Sequence, residues 1–222
     1  MNEKPILFNA EMVNAILSGR KTQTRRIMRD QPEVIPPEDE CGVPGYWIPY
    51  NAGKTMVRNE MMTITCPLGA VGDQLWVREC FRVHSRATDV ATLVYRASER
   101  NSWTEQTRRV PVSDCNRPVS PEKWTPAIHM PRWASRINLL ITGVRVERLN
   151  DISDADAMSE GIDADRLAES QDHYDCIADH NMTGRPTAKG YFSSLWQSIY
   201  GEENWEANPW VWVIEFERME AK

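Results

Sequence analysis

The densest run of chemistry-bearing residues is Gly19-Arg20-Lys21-Thr22-Gln23-Thr24-Arg25-Arg26, which together with Arg29 gathers five cationic side chains in one short stretch. Such a cluster suits a phosphate or carboxylate, because guanidinium groups present paired N–H donors. Lys21 is its reactive member. If it sits partly out of water among arginines that stay charged, desolvation and like-charge repulsion both favour its neutral amine, which is a base. Thr24 stands three residues on, and a loop or helical turn would bring its hydroxyl to the Lys21 amine, the arrangement in which a lysine activates an alcohol nucleophile. A regular strand would turn the two side chains to opposite faces. The blander account of the same run is a solvated basic face that complements the C-terminal end of the preceding helix.

Two carboxylates could complete such a site. Glu160 falls at the C-terminal end of a short expected helix, where the dipole disfavours negative charge, so burial there would raise its pKa toward values useful for proton transfer. Glu79, beside Arg78 at a strand end, could bridge to the basic cluster or orient Lys21, with a structural role preferred. His173, Cys176 and His180, with Asp172 and Asp179 nearby, could share one helix face. Their spacing matches no standard zinc pattern and no fourth ligand is evident, so neither a metal nor a cofactor is expected. His84 and His129 stand alone in polar stretches.

The elements that must position these groups are legible in part. Ile6, Leu7 and Phe8 read as a strand, followed by a helix capped by Asn9, with Met12, Val13, Ile16 and Leu17 as its apolar stripe and Gly19 as its stop. Gln74 to Glu79, with Leu75, Trp76 and Val77, reads as a short buried strand, and Ala91 to Ala97 as another. Pro131 opens a helical turn. A long strand follows, with Ile137, Leu139 and Ile141 on one face and Leu140, Val144 and Val146 on the other. Ser153 caps the helix that ends at Glu160-Gly161. Thr187 caps the clearest helix, whose Phe192, Leu195, Trp196, Ile199 and Tyr200 recur at helical spacing before Gly201. Trp210 to Glu217 closes the set as a strand. Short strands and few helices without regular alternation predict an α+β fold, a small mixed sheet or barrel.

The composition sets outer bounds. The chain has 222 residues, 41% hydrophobic and 26% charged, which excludes collagen-like, coiled-coil and wholly disordered classes. Its formal net charge of −6 argues against coating nucleic acid by bulk charge, though a local basic site is compatible with it. No apolar run approaches the roughly 20 residues a membrane helix needs, and Met1 to Val13 lacks the pattern of a signal peptide, so a cytoplasmic protein without membrane contact is expected. Five cysteines, odd in number and without a Cys-x-x-Cys pair, suit free thiols. The nine tryptophans are read as core filler before base-stacking platforms.

Gly19-x-Lys21-x-x-Thr24-x-Arg26 after a short capped helix resembles the signature of ASCH domains, whose fold is similar to PUA-like RNA-binding barrels. The likeness continues in order through Gly72-Asp73-Gln74-Leu75-Trp76-Val77-Arg78-Glu79, Ile152-Ser153 to Glu160-Gly161-Ile162, and Trp212-Val213-Ile214-Glu215-Phe216. The longer form, with Asn208-Pro209-Trp210-Val211-Trp212, resembles ASCH proteins encoded in phages and prophages. The resemblance implies one PUA-like domain over 1–222, with long insertions at about 28–72, 84–130 and 163–187. Thr24 is the residue found in the small bacterial ASCH enzymes that hydrolyse N4-acetylcytidine, where many family members have Glu. What that likeness implies is a metal-free amidohydrolase. Thr24 would attack, Lys21 would take the hydroxyl proton, Glu160 would serve as acid and base, and Arg26 or an amide near it would stabilise the oxyanion. Arg20, Arg25, Arg26, Glu79 and Trp76 would contact the modified nucleoside or RNA. Other relatives imply a second outcome, an RNA or single-strand binder, or an RNA-cleaving relative.

Overall fold

The computed structural model describes residues 2–35, 45–50, 55–58, 66–177 and 184–220. In chain order it runs β1 (Glu3–Leu7), α1 (Ala10–Leu17), β2 (Gln23–Ile27), β3 (Glu33–Ile35), β4 (Gly45–Tyr50) and β5 (Thr55–Arg58). Then come β6 (Gln74–Arg78), β7 (Phe81–Arg86), β8 (Val90–Tyr95), α2 (Trp103–Gln106), β9 (Thr107–Pro111) and β10 (Asn138–Arg148). The chain ends with α3 (Asp154–Ser159), α4 (Ala164–Ile177), α5 (Ala188–Tyr200), α6 (Glu202–Glu206) and β11 (Trp210–Arg218). This is an α+β fold, since strands and helices do not alternate. Two compact units are built from it: unit 1 from Met1–Gly19, Gly72–Ile141 and Glu217–Lys222, and unit 2 from Arg20–Val71 and Thr142–Phe216. Among the described residues no helix is long and apolar enough to cross a membrane.

In unit 1, β1 runs parallel to β6 and the start of β10 runs antiparallel to it. Helix α1 begins as expected, with the Asn9 side chain accepting the Met12 N–H at 2.8 Å, and it ends at Ser18 before Gly19, whose φ of +78° is the left-handed turn that releases the chain. The 84–130 segment is not an open loop. β7, β8 and β9 form an antiparallel sheet, and Phe81, Val83, Ala91, Leu93, Tyr95 and Val110 bury its inner face against Cys115, Met130 and Ala134. β8 matches the strand expected over Ala91 to Ala97, whereas β7 and β9 carry one apolar face and a polar one, so their average polarity conceals them in the sequence.

In unit 2, β10, β11 and β2 are neighbours in a sheet, with β2 antiparallel to β11 and Thr24 opposite Ile214. Leu149, Ile152, Ala157, Phe192, Trp196, Val211 and Val213 form its core, which packs α3 and α5 on the face of Val211 and Val213. β3, β4 and β5 form a separate antiparallel sheet inside the Pro- and Gly-rich 28–72 segment. The polar 163–187 stretch, expected to be an excursion, carries the 14-residue helix α4, started by Asp163, whose carboxylate accepts the N–H groups of Asp165 and Arg166. The expected caps Ser153 and Thr187 both hold, the latter accepting the Gly190 N–H at 3.0 Å. Thr187→Ala is therefore expected to cost about 1 kcal/mol, read as a lower urea midpoint with an unchanged slope.

Cys66, Cys80, Cys115 and Cys176 are free thiols, while Cys41 lies outside the described residues. Trp76, Trp196, Trp210 and Trp212 are buried, in line with their reading as core, whereas Trp103 is 54% exposed.

Candidate active site

The segment after α1 is pinned on both sides. The Thr22 N–H donates to the Ser159 carbonyl at 2.9 Å, the Thr22 carbonyl accepts the Phe216 N–H at 2.8 Å, and Lys21 forms an antiparallel bridge with Glu160. Glu160 is the C-cap of α3, as its place in the sequence predicts. The bridge carries Lys21 Nζ to the end of that helix, where it donates to the Glu160 carbonyl at 2.8 Å and to Oε2 of the Glu160 carboxylate at 2.7 Å. One ammonium thus answers both an orphan carbonyl and a carboxylate that the helix end disfavours. Both residues are buried.

Arg25 completes the pair from the other side. Its guanidinium is wholly buried and reaches Glu160 Oε1 at 3.3 Å, Glu147 Oε2 at 3.0 Å and Asp156 Oδ2 at 3.5 Å, with the Phe192 ring centroid 5.9 Å away. Arg145 extends the network to Asp156 at 2.9 Å and also contacts Glu147 and Glu215. Gly143 makes room for this, because a Cβ there would stand 2.5 Å from Glu215 Oε2. Glu147, Asp156, Arg145 and Glu215 escape a site reading from sequence. The signal available is the opposite charges of Arg145 and Glu147 at i and i+2 on one strand, which share a face.

Removal from water pushes the Lys21 ammonium below its ordinary value of 10.5, and Arg26 and Arg25 push the same way against the opposing pull of Glu160. Asp156 moves down as well: burial acts to raise it, but the Ser153 hydroxyl, Arg145, Arg25 and Gln23 outweigh that. The Lys21 shift has a definite sign in stability. A group that binds its proton less readily folded than unfolded makes stability rise as pH climbs from the lowered value toward 10.5. Comparing urea unfolding at neutral and alkaline pH, Lys21→Met is expected to remove that rising component.

The other expected site residues are distributed as follows. Alternation along β2 puts Gln23, Arg25 and Ile27 on the face that meets α3 and α5, and turns Thr24 and Arg26 to the opposite face with their cross-strand partners Ile214 and Trp212. Thr24 is buried, and Arg26 donates to the Arg25 carbonyl at 3.2 Å. Arg25 points inward onto three carboxylates instead of outward to a ligand. Arg20 is the exposed cation beside the pair, 3.1 Å from Asp163 and 3.3 Å from the Gly161 carbonyl. Glu79 and Trp76 belong to unit 1. Glu79 receives Arg136 at 2.8 and 3.0 Å, which is the structural role preferred from sequence, and burial raises its pKa against the pull of Arg136. Trp76 is buried under Arg78, 4.7 Å from its ring centroid. His173 and Cys176 lie on α4, while Asp179 and His180 lie outside the described residues. Among the described residues no group of three or more His, Cys, Asp or Glu could hold a metal ion.

No protein-family model matches the sequence, and no curated protein matches it. Among solved structures, an ASCH domain from Lactobacillus crispatus JV V101 is similar to this chain over 98% of its length and 79% of that domain's chain, at 13% sequence identity and a TM-score of 0.33.

Proposed function

We propose that this chain is an ASCH-type protein, one domain with insertions, that hydrolyses N4-acetylcytidine or a related acylated nucleoside, with Lys21 and Glu160 as its proton-transfer couple. The observation that carries the reading is the buried 2.7 Å contact between the Lys21 amine and the Glu160 carboxylate, groups 139 positions apart in the chain. A lysine whose ammonium is disfavoured by burial takes a proton from the attacking hydroxyl more readily than an exposed one. Glu160, hydrogen-bonded to that lysine, returns a proton to the departing 4-amino nitrogen, and water supplies the balance, giving cytidine and acetate. Arg20, exposed beside Glu160, is the cation suited to meet the acyl oxygen or an anionic group of the substrate.

The identity of the attacking oxygen follows from two variants. An attacking Thr24 alcohol predicts loss of activity in Thr24→Ala and retention in Thr24→Ser. An attacking water predicts rates near wild type in both, the outcome that fits the opposite faces of β2. The reading as a whole is tested by incubating the protein with N4-acetylcytidine and following cytidine and acetate release from neutral to alkaline pH. Absence of turnover throughout that range overturns it.

A further inference from the structure

Lys21 and Arg25 share one carboxylate. Lys21 Nζ meets Glu160 Oε2 at 2.7 Å and Arg25 Nη1 meets Glu160 Oε1 at 3.3 Å, so each oxygen has its own cation. The Lys21 and Arg25 side chains are fully buried and that of Glu160 nearly so. Arg25 is held in turn: its Nη2 reaches Glu147 Oε2 on β10 at 3.0 Å and Asp156 Oδ2 on α3 at 3.5 Å. Arg145 contacts both of those acids and Glu215 on β11, and from α5 the Phe192 ring stands 5.9 Å from the Arg25 guanidinium.

A lysine beside a lone buried carboxylate stays protonated, because its proton is what gives the carboxylate a counter-charge. Arg25 alters that balance. A guanidinium does not release its proton, so Glu160 still has a cation when the Lys21 amine is neutral. Burial favours that neutral amine, Glu160 opposes it, and Arg26 and Arg25 both act with burial. Arg26 does so by its charge from the other face of β2, whereas Arg25 touches the carboxylate itself.

We propose that Arg25 is a positioning residue for the proton transfer: it takes over the counter-charge of Glu160, fixes Oε2 toward Lys21, and so lets Lys21 act as a free amine. Arg25 acts through Glu160 and not on the substrate. Glu147 and Asp156 moderate it, since each draws part of the guanidinium charge away from Glu160. The inference rests on the reading of Lys21 as the base of the hydrolysis.

The test titrates Lys21 directly, by NMR of protein carrying isotopically labelled lysine, with Lys21→Met identifying the signal. The same proteins are assayed on N4-acetylcytidine, with rates taken per folded molecule. Arg25→Met is expected to move the Lys21 midpoint to higher pH, because Glu160 then holds the ammonium alone. It should lower the rate at neutral pH by about 10-fold or more, a loss that shrinks as pH rises and the amine becomes neutral. Glu147→Gln is expected to move the midpoint the other way, since the guanidinium loses an opposing charge and keeps Glu160. Arg25→Lys retains a cation and should bring the midpoint back toward the wild-type value. Glu147→Gln leaves every cation of the network in place, so it carries the test if Arg25→Met does not fold. A Lys21 midpoint unmoved in the folded variants, or moved upward by Glu147→Gln, overturns the inference, as does a rate loss in Arg25→Met that is equal at every pH. Absence of turnover by the wild type overturns the hydrolase reading instead, and the titration still decides whether Arg25 governs the proton on Lys21.

Discussion

Lys21→Met is expected to lower the rate of cytidine release by roughly 100- to 10,000-fold, the usual contribution of a positioned proton-transfer group. The variant keeps the length and apolar stem of lysine, so it fills the buried site while removing the amine that meets Glu160. It also removes one partner of a buried ion pair, at a cost in stability of about 3–5 kcal/mol, so the rate is compared per folded molecule. Burial already disfavours the ammonium, and Arg25, 3.3 Å from Glu160 in the wild type, is the cation left to answer that carboxylate. The wild-type rate should rise with pH through the lowered pKa of Lys21, since the base is the neutral amine, and the variant should lose that rise. A rate that falls only in proportion to the fraction unfolded, with an unchanged pH profile, would mean that the pair holds the end of α3 and does no chemistry.

Arg25→Met should be the most destabilising of the charge substitutions, costing about 3–5 kcal/mol, because removing one partner of a buried ion pair strands the charge that remains. Here the groups that lose a partner are Glu160, Glu147 and, at longer range, Asp156, which are left to Lys21 and Arg145. Arg25→Lys should recover only part of the loss, since an ammonium is a point charge and cannot span separate carboxylates. Lowering the pH should bring the wild type and Arg25→Met together. Asp156 has a lowered pKa, so its ionic contribution is present at neutral pH and is lost as pH falls through that lowered value, leaving less for the substitution to remove. Urea unfolding at neutral and acidic pH measures this convergence, and a loss under about 1 kcal/mol at neutral pH would show that the network is solvent-screened.

The sequence alone determined the local elements. Asn9, Ser153 and Thr187 are caps because their short polar side chains satisfy N–H groups that a helix start leaves orphaned, and that is a matter of neighbours three residues away. The stripe of Phe192 and Trp196 and the apolar run from Trp210 mark burial for the same reason, that periodicity is local. The position of Glu160 at a helix end was legible in that way too, whereas the run around Lys21 reads from sequence equally as a solvated basic face, and its burial emerges only in the fold. Segments with one polar face were harder to read. β7, β9 and α4 mix charged and apolar residues, so their structure is declared by partners across a ladder or by a packed neighbour and not by composition, whereas the apolar β8 was legible as a strand.

Tertiary structure decided which charges meet. Nothing in the order of residues says that Lys21 bridges to Glu160, or that Arg25 turns inward to Glu147 and Asp156 while Glu79 takes Arg136. The pairings of Lys21 and Arg25 depend on the register of β2 against β11 and on the approach of α3 to the segment after Gly19, distances set by the packing of the core. The same register sends Thr24 to the opposite sheet face from Arg25. A strand reverses its faces at each residue, so whether three spaced groups converge depends on backbone conformation, and only the pairing with β11 made that segment a strand.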